Sequence, residues 1–137
     1  MTYEKANDFI KKLNEKSYAG YTDWRLPSVK ELISLIDYSQ YNPALPQGHP
    51  FTNVQSSYYW SSTSHAHYTN HAWIVYMYYG YVHYSNKTNY LYVWPVRAGR
   101  GSLDDLGIRF IDHDDGTVTD TGTGLMWTKN ANLAEDS

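Results

Sequence analysis

Between Asp37 and Asp104 the chain carries no carboxylate, and that interval holds most of its 15 tyrosines. Sheet propensity favours tyrosine, so the interval is expected to fold as a tyrosine-rich sheet. A half-buried strand alternates apolar with polar residues, but Tyr76-Met77-Tyr78-Tyr79-Gly80-Tyr81 puts aromatics at consecutive positions. Some of these rings must therefore face water, and exposed aromatics at this density mark a contact site. Interleaved histidines, serines and asparagines supply adaptable hydrogen bonds beside rings that have few torsions to freeze, as in antibody paratopes. The candidate binding residues are His65, His67, Tyr68, His71, Ile74, Tyr76, Tyr78, Tyr79, Tyr81, His83, Tyr84, Ser85, Asn89 and Tyr90.

At 137 residues, 42% of them hydrophobic, the chain is long enough for one core, and residues 1–137 are expected to form a single domain. Net charge is −3, and Lys87 is the only lysine or arginine between Lys30 and Arg97, which excludes a phosphate-tracking nucleic-acid groove. The absence of cysteine removes disulfides and thiolate chemistry. No apolar run approaches membrane-spanning length, and the start Met1-Thr2-Tyr3-Glu4-Lys5 has no signal-peptide pattern. An export signal, if the protein uses one, is expected outside this chain.

Ala6, Phe9, Ile10 and Leu13 share one face of a helix over residues 2–16, with Thr2 as its N-cap. A second helix is expected after Pro27, opened by the capping-box pair Ser28 and Glu31 and running to about Tyr38. Pro, Gly and Asn between Tyr41 and Val54 predict a long loop. Strands are expected at 58–62, 72–79, 81–83, 90–96, 108–112, 117–120 and 125–128, with Gly80 at a hairpin turn. Residues 98–107 read as a linker. Helices first and short strands afterwards indicate the α+β class. Trp24, Trp60, Trp73 and Trp127 are expected in the core, and Asp23 is a partner for Arg25 or Arg97.

His65, His67 and His71 are imidazoles at metal-ligand spacing, but no acid or thiol accompanies them, so no metal site or cofactor is assigned. Asp112-His113-Asp114-Asp115-Gly116 lacks the closing ligands of a calcium loop and reads as a turn. Acid–base catalysis needs a pair of ionisable groups at controlled separation, and no Gly-x-Ser-x-Gly elbow is present. Binding without catalysis is the first reading; a hydrolase-like or metal-dependent enzyme is the alternative.

Gly20-Tyr21-Thr22-Asp23-Trp24-Arg25-Leu26-Pro27, Tyr59-Trp60-Ser61-Ser62-Thr63, Ala72-Trp73 and Tyr92-Val93-Trp94-Pro95-Val96-Arg97 together resemble the C-terminal domain family of the collagen-like adhesin Lcl. So do Asp115-Gly116-Thr117-Val118-Thr119-Asp120 and Gly124-Leu125-Met126-Trp127. The resemblance implies a C-type-lectin-like fold, related to formylglycine-generating enzymes, with two short helices, a small twisted antiparallel sheet and long loops. It also implies an adhesin or receptor-like role at a cell surface, outside the cell or on a phage particle, with a protein or glycan ligand and no membrane insertion. In the family the Asp-Gly-Thr-Val-Thr-Asp block comes first; here it comes last, as in a circular permutation or a frame cut across tandem copies. Strand exchange between copies would then give a homo-oligomer. The wider superfamily includes variable proteins of diversity-generating retroelements. From Ser64 to Tyr92 all residues but Trp73, Met77 and Lys87 are reachable from asparagine codons by adenine change. Ala72, Trp73, Val75, Gly80 and Val82 would be the fixed packing positions.

Overall fold

The computed structural model describes residues 1–99 and 107–136. Helix α1 (Tyr3–Glu15) begins where the Thr2 hydroxyl accepts the Lys5 N–H at 3.3 Å, and it buries Ala6, Phe9, Ile10 and Leu13. Helix α2 (Val29–Ser34) opens on a complete capping box, with Ser28 Oγ accepting from the Glu31 N–H and Glu31 Oε1 from the Ser28 N–H. It ends earlier than the expected Tyr38. The Asp37 N–H is drawn to the Ala44 carbonyl at 2.9 Å and its carboxylate accepts the Ser39 N–H, so a turn replaces the last helical residues.

Strands β1 (Tyr58–Ser64), β2 (His71–Tyr76) and β3 (Tyr81–Asn86) form an antiparallel sheet in that order. Strand β2 stops three residues short of the expected 79 because Met77 and Tyr78 carbonyls accept the Ala44 and Asn42 N–H groups, diverting the chain into the turn. Gly80 closes that turn at φ +87°, and a Cβ there would come within 2.6 Å of Ile36 Cγ2, so both backbone and space demand glycine. Strands β4 (Val96–Ala98), β5 (Phe110–Asp112), β6 (Thr117–Asp120) and β7 (Leu125–Thr128) form a second antiparallel sheet, ordered β4-β7-β6-β5. The chain is therefore α+β. No strand forms over 90–96; Tyr92 makes one parallel bridge to Tyr59 and the chain reaches β4 only at Val96. Of the expected linker 98–107, residues 100–106 lie outside the described residues.

Two apolar clusters cover the two faces of the first sheet. One joins Leu32 and Leu35 of α2 to Tyr59, Val75, Trp94, Val118 and Trp127. The other joins α1 to Trp24, Trp60, Ala72, Ile74 and Met126. The Tyr59 hydroxyl, with its ring fully buried, accepts the Gln55 N–H and donates to the Ala131 carbonyl at 2.8 Å. Burial raises its pKa above the ordinary tyrosine value. Trp24, Trp60 and Trp127 are core residues as expected, but Trp73 is only half-buried and Val82 is 40% exposed. Trp73 belongs to neither buried cluster and packs instead against His65 and Tyr84.

Candidate ligand-binding surface

Strand register separates the candidate residues into two groups. The uninterrupted pairing of β2 with β3 sets Trp73 opposite Tyr84, Ile74 opposite His83 and Tyr76 opposite Tyr81. Successive side chains in a strand point to opposite faces, so Trp73 and Tyr84 occupy one face, and Ile74, Tyr76, Tyr81, His83 and Ser85 the other. The aromatic surface that the sequence presents as one stretch is thus divided by the sheet.

On the first face, His65 stacks on Trp73 with centroids 5.0 Å apart, and Tyr84 meets the indole edge-on at 5.5 Å. Tyr68 and His71 complete the group, with Tyr68 55% and Tyr84 49% exposed. His65 Nδ1 accepts the N–H groups of His67 and Tyr68, and His71 Nδ1 sits 2.8 Å from Asn70 Oδ1. These nitrogens shape the 64–71 loop. Among the described residues no group of three or more His, Asp or Glu is arranged to hold a metal ion.

On the second face, Tyr58 stacks on Tyr76 at 4.4 Å, and the series continues through Tyr78 and Tyr79 to Tyr81, and to Tyr41 of the long loop. Beside it lies an open groove of about 470 Å³, lined by Tyr58, Ile74, His83, Tyr84, Ser85, Asn89, Tyr90 and Leu91. Ile74 is its buried floor, 3% exposed, and Tyr90 is 81% exposed on its wall. The wall is held from outside the sheet: the Met1 nitrogen donates to the Leu91 carbonyl, the Leu91 N–H to the Met1 carbonyl, and the Tyr3 N–H to the Lys87 carbonyl. Trp60 Nε1 also donates to the Met1 carbonyl, which ties this clamp to the core.

Six of the candidate residues line the groove: Ile74, His83, Tyr84, Ser85, Asn89 and Tyr90. His67 is exposed on the 64–71 loop. Tyr58 and Leu91 are lining residues that the candidate set lacks, and Tyr38 and Tyr41, 68% and 67% exposed, extend the aromatic surface. The acid-free interval starts at Asp37, so the signal that marked the other tyrosines already included Tyr38 and Tyr41.

No lining residue of the groove is a carboxylate, lysine or arginine. The acids that do pair with cations lie elsewhere. Asp23 takes Arg97 through both oxygens, at 2.6 and 3.1 Å, and the arginine holds its carboxyl below the ordinary value. Arg25 pairs with Glu31, Arg109 with the buried Asp120, and Lys129 with Asp112. The Asp112–Asp115 loop spends its acids on its own turn: Asp112 accepts the Asp114 N–H and pairs with Lys129, and Asp115 accepts the Thr117 N–H and hydroxyl. Among the described residues, no helix is long and apolar enough to cross a membrane.

The sequence profile of the Lcl C-terminal domain matches residues 1–97, more than half of the chain, and the chain belongs to that family. No curated protein and no solved structure matches it.

Proposed function

We propose that this member of the Lcl C-terminal domain family is a non-enzymatic, adhesin-like binding domain that presents its tyrosine-rich surface to a protein or glycan outside the cell or on a phage particle. The observation that carries this reading is the acid-free groove beside exposed Tyr79, Tyr81 and Tyr90. Glycosidase-type hydrolysis would call for a pair of converging carboxylates, and the groove lining contains none. Its His, Ser and Asn side chains offer hydrogen bonds between ring faces, a combination that suits a peptide surface or a sugar. Buried Ala72, Val75 and Met77 beside half-buried His71, Tyr76 and Tyr78 are in keeping with a fixed scaffold under replaceable positions, the pattern expected of genetic diversification, whereas Ile74 is buried with the scaffold. Comparison of the coding sequence with a linked near-copy tests that point: codon differences confined to adenines support it, and identical codons remove it.

The direct test replaces Tyr79, Tyr81, Tyr84 and Tyr90 together with serine and screens wild type and variant against panels of oligosaccharides and extracellular proteins. Exposed positions change stability by less than ~0.5 kcal/mol each, so the variant should fold while losing the ligands that wild type retains. A folded variant that binds as wild type does, or a wild-type domain with measurable hydrolytic turnover, overturns the reading.

A further inference from the structure

The outer edge of β3 is an unpaired strand edge. In an antiparallel sheet each residue sends its N–H and C=O to the same side, and successive residues alternate sides. The Met77 N–H donates to the Ser57 carbonyl, which turns the odd residues of β2 toward β1 and its even residues toward β3. The Lys87 N–H donates to the Asn70 carbonyl, so Tyr81, His83 and Ser85 face β2. The N–H and C=O groups of Val82 and Tyr84 point outward, and among the described residues no segment pairs with them.

Exposed edges are ordinarily blunted by a lysine, a proline, a bulge or a covering loop. From Tyr81 to Asn86 there is no charged residue and no proline, and the register with β2 is unbroken. The opposite edge of the same sheet is covered: the Tyr92 segment bonds to Tyr58 and Trp60. The groove lies against the open side, where His83 and Ser85 form one of its walls.

Resting on the reading of this half of the molecule as a binding surface, we infer that the ligand is an extended polypeptide segment of a partner protein, added as a fourth strand along β3. Its backbone pairs with Val82 and Tyr84. Side chains on one of its faces enter the groove over Ile74, and those on the other meet Tyr84 and Trp73. Main-chain bonds would supply affinity and the two flanking features would select the alternating side chains. Because edge and groove carry no lysine, arginine or carboxylate, an uncharged segment docks without stranding a charge. A second copy fits less well. Two-fold pairing of β3 with β3 would bring two exposed Tyr90 rings and their loops onto one face, whereas a single strand meets one.

The test uses the intact chain and a displayed library of linear nonapeptides, followed by amide hydrogen exchange with the strongest binder. The expected result is protection of the Val82 and Tyr84 amides. A Val82→Pro variant should lose at least about tenfold in affinity with its thermal transition retained, since proline is accepted where an edge N–H faces solvent. Methylating alternate amides of the peptide should abolish binding in one phase and spare it in the other, a readout that needs no substitution in the protein. If peptides bind but both amides exchange as before and Val82→Pro binds normally, strand addition is wrong while the binding surface stands. Selection of oligosaccharides and no peptide overturns the polypeptide. Concentration-dependent dimerisation that protects the same amides overturns it in favour of a second copy. Binding that survives the four-serine variant overturns the binding-surface reading itself.

Discussion

Trp60 and Trp73 show how little residue type says about energetic role. Both are tryptophans on adjacent strands of one sheet, yet Trp60 is fully buried, meets Tyr3 edge-on at 5.4 Å and donates to the Met1 carbonyl. Trp73 is half-buried and its contacts are His65 and Tyr84, themselves at the surface. Trp60→Ala should cost about 3–5 kcal/mol, a large part of a small domain's margin, whereas Trp73→Ala should cost less than about 2 kcal/mol. Urea titrations of the two variants check the contrast. Equal costs would mean that the 64–71 loop packs as tightly as the core. Sequence reading placed both in the core because each has apolar neighbours along the chain. Tertiary packing separates them: Trp60 lies in the cluster with α1, whereas the ring of Trp73 meets His65 of the 64–71 loop and Tyr84.

At the scale of the element, α2 depends on one carboxylate. Glu31 accepts from the Ser28 N–H at the helix start and from both terminal nitrogens of Arg25, at 2.6 and 2.7 Å. Arg25 is the main cause that holds its pKa below the ordinary 4.5, with the Ser28 bonds adding to it. A carboxyl depressed in the folded state contributes stability that is complete above its unfolded value and lost as pH falls through the lower folded value. Thermal stability should therefore decline below pH 4.5, and Glu31→Gln should lower the midpoint at pH 7 while flattening that decline. The measurement is the melting temperature of both proteins between pH 7 and pH 3; parallel curves would reject the assignment. This helix was legible in the sequence because a capping box is local chemistry, four residues long. Its end was not, since a tertiary bond from the Asp37 N–H to the Ala44 carbonyl decides it.

For the whole molecule, residues 107–136 are structural necessities for the rest. Strand β7 pairs with β4, placing Trp127 opposite Val96, and Val118, Trp127 and Ala131 are fully buried in the cluster under α2. At the other end of this block, Leu133 and Ala134 pack against the same cluster as Met1 and Tyr3, and the Met1 nitrogen feels the charge of Glu135. Residues 133–135 thus lie beside Met1 and Tyr3. A rearranged chain that joins 136 to 1 through a short linker and opens between 99 and 107 should fold with an unchanged far-ultraviolet spectrum and the same ligand profile. Failure to fold would show that the connection across 100–106 is itself required. Removing 107–136 should unfold the domain, because Trp94 and Val96 would lose the residues that cover them.

What the sequence determined by itself was local: the apolar stripe of α1, the caps, the glycine turns, strands 117–120 and 125–128, and an acid-free interval dense in tyrosine. Each rests on spacing within one element, where period and turn chemistry suffice. The tertiary structure decided where those tyrosines go. Register between β2 and β3 sent Trp73 and Tyr84 to one face and Tyr76 and Tyr81 to the other, and a shift of one residue would instead group Tyr84 with Tyr76 and Tyr81 with Trp73. The groove depends on Met1 and Tyr3 pinning Lys87 and Leu91, residues far apart in the chain. Contacts of that range arise from packing of the whole chain, and no pattern within a single segment encodes them.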